Sequence, residues 1–319
     1  IPFARLGITA AWTPDSDLAK DERGHLEVTW RYLGWRADAS WNRSDFYDIF
    51  GPTIRSRKGY AVKAGYDDLL IYDEPRRLEL KYDFAYYGKI DRLPGYQNVE
   101  ATADRLLTGK VGLHYTNTQK SLGAVDEEQG FAGDVVALVN RADGKAVPQF
   151  AGEYHWGAAL PLAHSSVWLR GAAGRAHGDR EDPFANFFFG GFGNNYVDNG
   201  EVKRYREFYS LPGFGLNEVG GRSFARQMVE LNLPPYVFES AGTPALYLNW
   251  LRPAVFATGL WTDPQDSALR QDYASAGAQV DLRFSIFHWY DMTLSAGYAV
   301  GFKGGKRAGD EWMISLKIM

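Results

Sequence analysis

The chain has 319 residues, a formal net charge of −4 and no cysteine, which excludes disulfides, thiolate metal sites and cysteine nucleophiles. No sustained basic block is present, so the charge pattern speaks against a nucleic-acid partner. A helical membrane span is excluded because no run of about 18 apolar residues occurs, whereas 19 Tyr, 19 Phe, 10 Trp and 35 Gly suit strands with one apolar and one wet face.

The chain opens Ile1-Pro2-Phe3-Ala4, without Met or a signal peptide, and reads as excised from a longer chain. Alternation then begins at once, with Leu6, Ile8, Ala10 and Trp12 on one face and Arg5, Gly7, Thr9 and Ala11 on the other. Leu26, Val28, Trp30 and Tyr32 alternate with His25, Glu27, Thr29 and Arg31. Gly34 turns the chain into Trp35, Ala37, Ala39 and Trp41, a tight hairpin. Tyr60, Val62, Ala64 and Tyr66 follow, then Leu78, Leu80, Tyr82, Phe84 and Tyr86. Further strands are expected over 107–116, 131–140, 149–160, 166–175, 223–233, 246–260, 274–285, 292–302 and 312–318. Trp312, Ile314, Leu316 and Ile318 form the last apolar parity.

A soluble sandwich would alternate as well, and connection lengths separate the two, because membrane barrels have short turns at one end and longer loops at the other. Counted back from the C-terminus, the segments 303–311, 261–272 and 176–222 are expected as long external loops, and 286–291, 234–245 and 161–165 as internal turns. Two connections break the trend: 141–147 is short where a loop is expected, and 117–129 is long where a turn is. The expectation is one transmembrane antiparallel β-barrel of about 14 strands, or 16 if an N-terminal hairpin is missing, with its charged face on a wet or plugged lumen.

The long connection carries Phe189-Gly-Gly-Phe192-Gly-Asn194-Asn195, Lys203-Arg204-Tyr205-Arg206-Glu207, Leu211-Pro212-Gly213-Phe214 and Asn217-Glu218-Val219-Gly220-Gly221-Arg222-Ser223-Phe224, and it runs into Glu230-Leu231-Asn232-Leu233. This string resembles the C-terminal barrel of bacterial outer-membrane proteins that carry a Tol-type β-propeller. More distantly it is similar to the bacterial surface antigen superfamily, the insertases and translocators of the Gram-negative outer membrane. The resemblance is specific over 181–260. It implies that the loop is the superfamily's sixth, folded back into the lumen, with a hydrophobic-Arg-Gly-aromatic tetrad whose Arg meets acidic residues of the wall. Leu211, Gly213 and Phe214 match that tetrad, but Pro212 stands where the Arg should be. Arg204 or Arg206 can instead reach Glu230 or Asp281. Equally, Lys203, Arg204 and Arg206 can simply balance Glu201 and Glu207 in a solvated loop, since exposed pairs are weak.

Catalytic readings find little support. His164-Ser165 is the one adjacent His and Ser pair and reads as a polar turn, because a triad is defined by spatial roles. His25 and His155 lie beside Glu27 and Glu153 on wet faces, as lumenal hydrogen bonds or an acid and His set. Asp182, Asn186, Asn194, Asn195, Asp198 and Glu201 offer oxygen ligands without the spacing of a calcium loop. Gly190-Gly191-Phe192-Gly193 lacks the strand and helix of a phosphate cradle, and its glycines suit a tightly folded loop. Phe187, Phe188 and Phe189 are either interface anchors or the loop's own core.

The expected protein is non-enzymatic and cofactor-free, with outer-membrane lipid and lipopolysaccharide around it and periplasmic domain or protein partners. The resemblance implies a role in assembly or secretion at the outer membrane. The alternative is a membrane anchor or passive pore for a periplasmic propeller domain or partner complex.

Overall fold

The protein is described by a computed structural model over residues 4–12, 14, 23–42, 59–89, 105–142, 144–192, 197–198 and 202–318. Among the described residues, nine strands precede the long connection: β1 (Arg5–Trp12), β2 (Gly24–Tyr32), β3 (Trp35–Trp41), β4 (Tyr60–Asp73), β5 (Arg76–Gly88), β6 (Arg105–Gln119), β7 (Gln129–Ala142), β8 (Lys145–Ala159) and β9 (Ser166–Ala176). Inside the connection lie the short strands β10 (Phe187–Phe189), β11 (Val197–Asp198) and β12 (Val219–Gly221). After it come β13 (Ser223–Asn232), the two-residue β14 (Tyr236–Val237) and β15 (Gly242–Thr243), and the long β16 (Leu246–Thr262), β17 (Gln271–Ile286), β18 (Tyr290–Lys303) and β19 (Lys306–Ile318). Among the described residues, fourteen strands reach seven residues or more. They belong to one sheet in which sequence neighbours pair antiparallel, and β10 and β12 form a separate ribbon.

Two compact units divide the chain, one of residues 1–115, 134–152 and 175–186, the other of 116–133, 153–174 and 187–319. In the first, β1 to β5 form an unbroken meander. The apolar parity faces outward: Leu6, Ile8, Trp12, Trp35, Val62 and Phe84 are all exposed. The opposite face carries ion pairs. Arg36 bridges Asp67 at 2.8 Å and Asp83 at 2.6 Å, and a Cβ on Gly65 would lie 2.3 Å from the Arg36 guanidinium, so that glycine makes the room. Unlike Gly34, whose φ is ordinary, Leu33 holds the left-handed conformation of the first hairpin (φ 51°). Gly34 is needed because Tyr66 and the Asp67 carbonyl lie within 3 Å of where its Cβ would be. The unit's apolar cluster joins Ala61, Leu106 and Val147 to Phe184 and Ala185 of the long connection.

In the second unit β13 pairs with β16, β16 with β17, β17 with β18 and β18 with β19. Leu316 and Lys317 of β19 also pair, in parallel, with Val197 and Asp198 of β11. Val229, Val255, Val280, Leu294, Trp312 and Ile314 are exposed on one face. The other face buries Arg226, Glu230, Asn232, Arg252, Gln279, Asp281 and Ser295 beside Met228, Phe256, Ala299 and Met313. A water-soluble sheet would not show this inversion, with apolar residues bare and charged ones covered, and a membrane strand requires it.

Three boundaries differ from the sequence expectation. The 303–311 segment is no loop: Gly304 and Gly305, both at positive φ, make a two-residue turn, and β19 starts at Lys306. A register shift near Gly301 places one extra residue, Ala308, in β19 and hides the alternation there. A second shift between Leu69 and Ile71 masks the continuation of β4 to Asp73. The 141–147 connection is shorter than expected, because β7 runs to Ala142 and β8 starts at Lys145, while 120–128 remains a true long connection.

Candidate functional site

Residues 187–192 and 202–222 fold onto the buried polar face of the second unit. Phe187 and Phe189 are buried and meet Phe224 of β13 edge-on with centroids 4.8 and 4.9 Å apart, which makes them core between the loop and the wall rather than interface anchors. A single 3-10 turn, Arg204–Arg206, follows Lys203. It sends Tyr205 and Arg206 into the wall. The Tyr205 ring stacks on Phe256 at 4.2 Å, and its hydroxyl donates to Glu230 Oε1 at 3.0 Å.

Glu230 is fully buried and is the hub of the site. Arg206 donates to it through Nη2 at 2.7 Å and Nε at 3.0 Å, and Arg170 of β9 through Nε at 3.0 Å. Lys203 Nζ lies 3.5 Å away. Asp126, from the connection 120–128, closes the other side: Arg206 Nη2 stands 2.8 Å and Arg252 Nη2 2.5 Å from its Oδ2. Burial alone would raise the Asp126 carboxyl, but Arg206, Arg252 and Lys203 outweigh it and hold it far below the usual carboxylate range. Burial would likewise lower the Arg206 guanidinium, and Glu230 and Asp126 instead raise it. Asn232 Oδ1 accepts from both Lys203 and Arg252.

The tetrad positions have a second seat. Leu211 is buried and exchanges backbone hydrogen bonds with Gly191 at 3.1 and 3.2 Å. The Pro212 carbonyl accepts from Ser275 Oγ, and Phe214 meets Tyr273 edge-on at 5.6 Å. Glu311 of β19 accepts the Gly213 N–H at 3.0 Å and the Phe192 N–H at 3.1 Å. Gly213 holds φ 94°, and a Cβ there would lie 2.4 Å from the Gly301 nitrogen. Both facts demand glycine. Gly213→Val is therefore expected to unseat 211–214 while sparing the sheet, and faster backbone hydrogen exchange over 209–216, with unchanged exchange over β16 to β18, checks it.

Of the residues singled out from sequence, Arg206 and Glu230 meet directly. Arg204 uses its carbonyl to accept from Ser210 Oγ at 2.7 Å. Asp281 is buried but accepts from Gln279 at 2.6 Å and Ser295 at 2.7 Å within the wall. The loop is thus not a solvated strip in which Lys203, Arg204 and Arg206 balance nearby acids; Lys203 and Arg206 are turned into the wall. Four partners escaped the sequence reading: Arg170, Arg252, Asp126 and Glu311. Glu311 shares the parity of the buried Met313, which extending the last strand upstream would have revealed.

The residues named for other chemistries have local partners. Ser165 Oγ donates to the Leu162 carbonyl at 2.6 Å, and His164 Nδ1 faces Glu128 at 3.0 Å, so the adjacent pair does not act together. His155 Nδ1 accepts from Arg170 Nη1 at 2.9 Å, while its Nε2 lies 3.6 Å from Glu153. His25 Nδ1 faces the Asn42 carbonyl. Asp182 caps the Phe184 N–H at 2.9 Å and Asn186 donates to the Arg180 carbonyl at 2.8 Å, which are structural roles. Asn194, Asn195, Glu201 and the Asp198 side chain lie outside the described residues.

The architecture is an all-β, membrane-type antiparallel β-barrel. Among solved structures the chain is similar to CdiB from Escherichia coli, itself a β-barrel, with a TM-score of 0.52 and 12% sequence identity over 98% of this chain and 67% of that one. No protein-family model and no curated protein matches the sequence.

Proposed function

We propose that the chain is a non-enzymatic outer-membrane translocator whose long loop is a plug seated in the lumen, held at one end by Arg206 on Glu230 and Asp126 and at the other by Gly213 on Glu311. The observation that carries this reading is the buried Arg206–Glu230 contact at 2.7 Å, an Arg-to-acid lock made from outside the tetrad. The Pro212 position therefore moves the lock without abolishing it. CdiB is an outer-membrane secretion transporter, and a likeness of fold agrees with a role in passing polypeptide across that membrane. The exposed apolar parity suits contact with outer-membrane lipid and lipopolysaccharide, and the sequence resemblance over 181–260 makes a periplasmic propeller domain or subunit the expected partner.

Deleting residues 203–214 tests the plug. The barrel is expected to fold, shown by heat-modifiable migration on gels, and to conduct ions across a planar bilayer with a larger unitary conductance than the parent chain. A folded barrel that stays closed would favour the membrane-anchor reading, and loss of the barrel would make the loop a structural element.

A further inference from the structure

We propose that seating of the plug is gated by the charge of Lys203, so that the loop docks more tightly as the pH rises from slightly acid to alkaline. The inference rests on the reading of the loop as a plug. Lys203 is buried. It is faced by Glu230 and Asn232 of β13, Arg252 of β16, Asp281 of β17 and Asp126 of the connection 120–128. Its own turn adds Tyr205 and Arg206, and Arg170 of β9 reaches the same Glu230. Gln279 holds the Val202 carbonyl at 3.0 Å, and Arg226 holds the Tyr205 carbonyl at 2.9 Å, which fixes the backbone on both sides of Lys203. Arg226 has its own carboxylate neighbour in Glu153.

Within this set Arg170, Lys203, Arg206 and Arg252 oppose the carboxylates of Asp126, Glu230 and Asp281. One positive charge is left over. Arginine keeps its proton throughout the accessible pH range, so Lys203 is the one cation that can give up the excess. Burial first, and then Arg206 and Arg252 against the pull of Glu230, push its ammonium down to about 7. In a released, solvated loop the same group returns to the ordinary lysine value of about 10.4. Between those values the docked state holds fewer protons than the released one, so raising the pH favours docking; below about 7 both states are protonated and docking is at its weakest.

The test is backbone hydrogen exchange over 203–214 in the full chain in detergent at pH 6.5 and 9, corrected for intrinsic rate. The parent is expected to gain protection by a factor of roughly ten to a hundred, from the tenfold change that each unit of linked pH supplies. Lys203→Met should be protected equally at both pH values, and Lys203→Arg, which keeps the charge, should be poorly protected at both. A flat parent profile, or a slope that survives in Lys203→Met, would overturn the gate. The reading of the loop as a plug fails separately: its test is the conductance of the 203–214 deletion, which does not depend on the pH profile.

Discussion

Glu230→Ala is expected to release the loop from its wall while leaving the barrel folded. The fully buried carboxylate accepts from Arg170, Tyr205 and Arg206 and faces Lys203, so its removal strands three cations away from water. Breaking a buried pair by deleting one partner costs about 3–5 kcal/mol, more than the net worth of the pair itself. The sheet can avoid that cost by letting residues 203–206 leave, since Lys203 and Arg206 then regain water. Hydrogen exchange over 203–214 should accelerate by roughly a hundredfold or more, and conductance should approach that of the deletion. An apolar double replacement, Glu230→Met with Arg206→Met, should restore part of the protection, because no charge of that pair is left behind. Unchanged protection in Glu230→Ala would mean that the Gly213–Glu311 seat alone holds the loop.

Val280→Arg should destabilise the protein in lipid by about 2–4 kcal/mol if the residue lies near the bilayer midplane. Val280 sits between Pro253 and Ala296 in the middle of a three-strand ladder and is exposed on the apolar face. Its immediate neighbours in sequence, Gln279 and Asp281, are buried on the polar face. Arginine introduced at Thr9, on the opposite parity of β1 and across from Glu27, should cost little. Urea unfolding from phospholipid vesicles measures both. Equal stabilities for the two variants would show that the facing has been assigned wrongly.

The strand faces were legible in the sequence because alternation reports them directly, and it does so wherever the ladder is regular. It failed where an extra residue slips the register, near Leu70 and at Ala308, since one inserted residue reverses every parity beyond it. Glu311 lies beyond that slip, on the regular parity of Met313, and escaped because the sequence expectation starts the last strand at Trp312. Asp126 was hidden for a different reason. The connection 120–128 is longer than a turn needs, and what its length provides is a carboxylate delivered to Arg206 and Arg252, a contact between segments 80 and 126 residues apart. Arg206 and Glu230 were visible as members of a set of candidates, but choosing among them required the 3-10 turn that aims one arginine inward.

The seat of Gly213 has a bearing on the order of events during biogenesis. Its two anchors, Gly301 beneath the glycine and Glu311 beside it, belong to the last two strands of the barrel. A chain in which β18 and β19 have not yet joined the sheet lacks the seat of Gly213, even though Ser275 and Tyr273 of β17 can already meet Pro212 and Phe214. If the loop is a plug as proposed, its full seating is expected only once the last two strands have joined the wall, so a fully seated loop would mark a finished barrel.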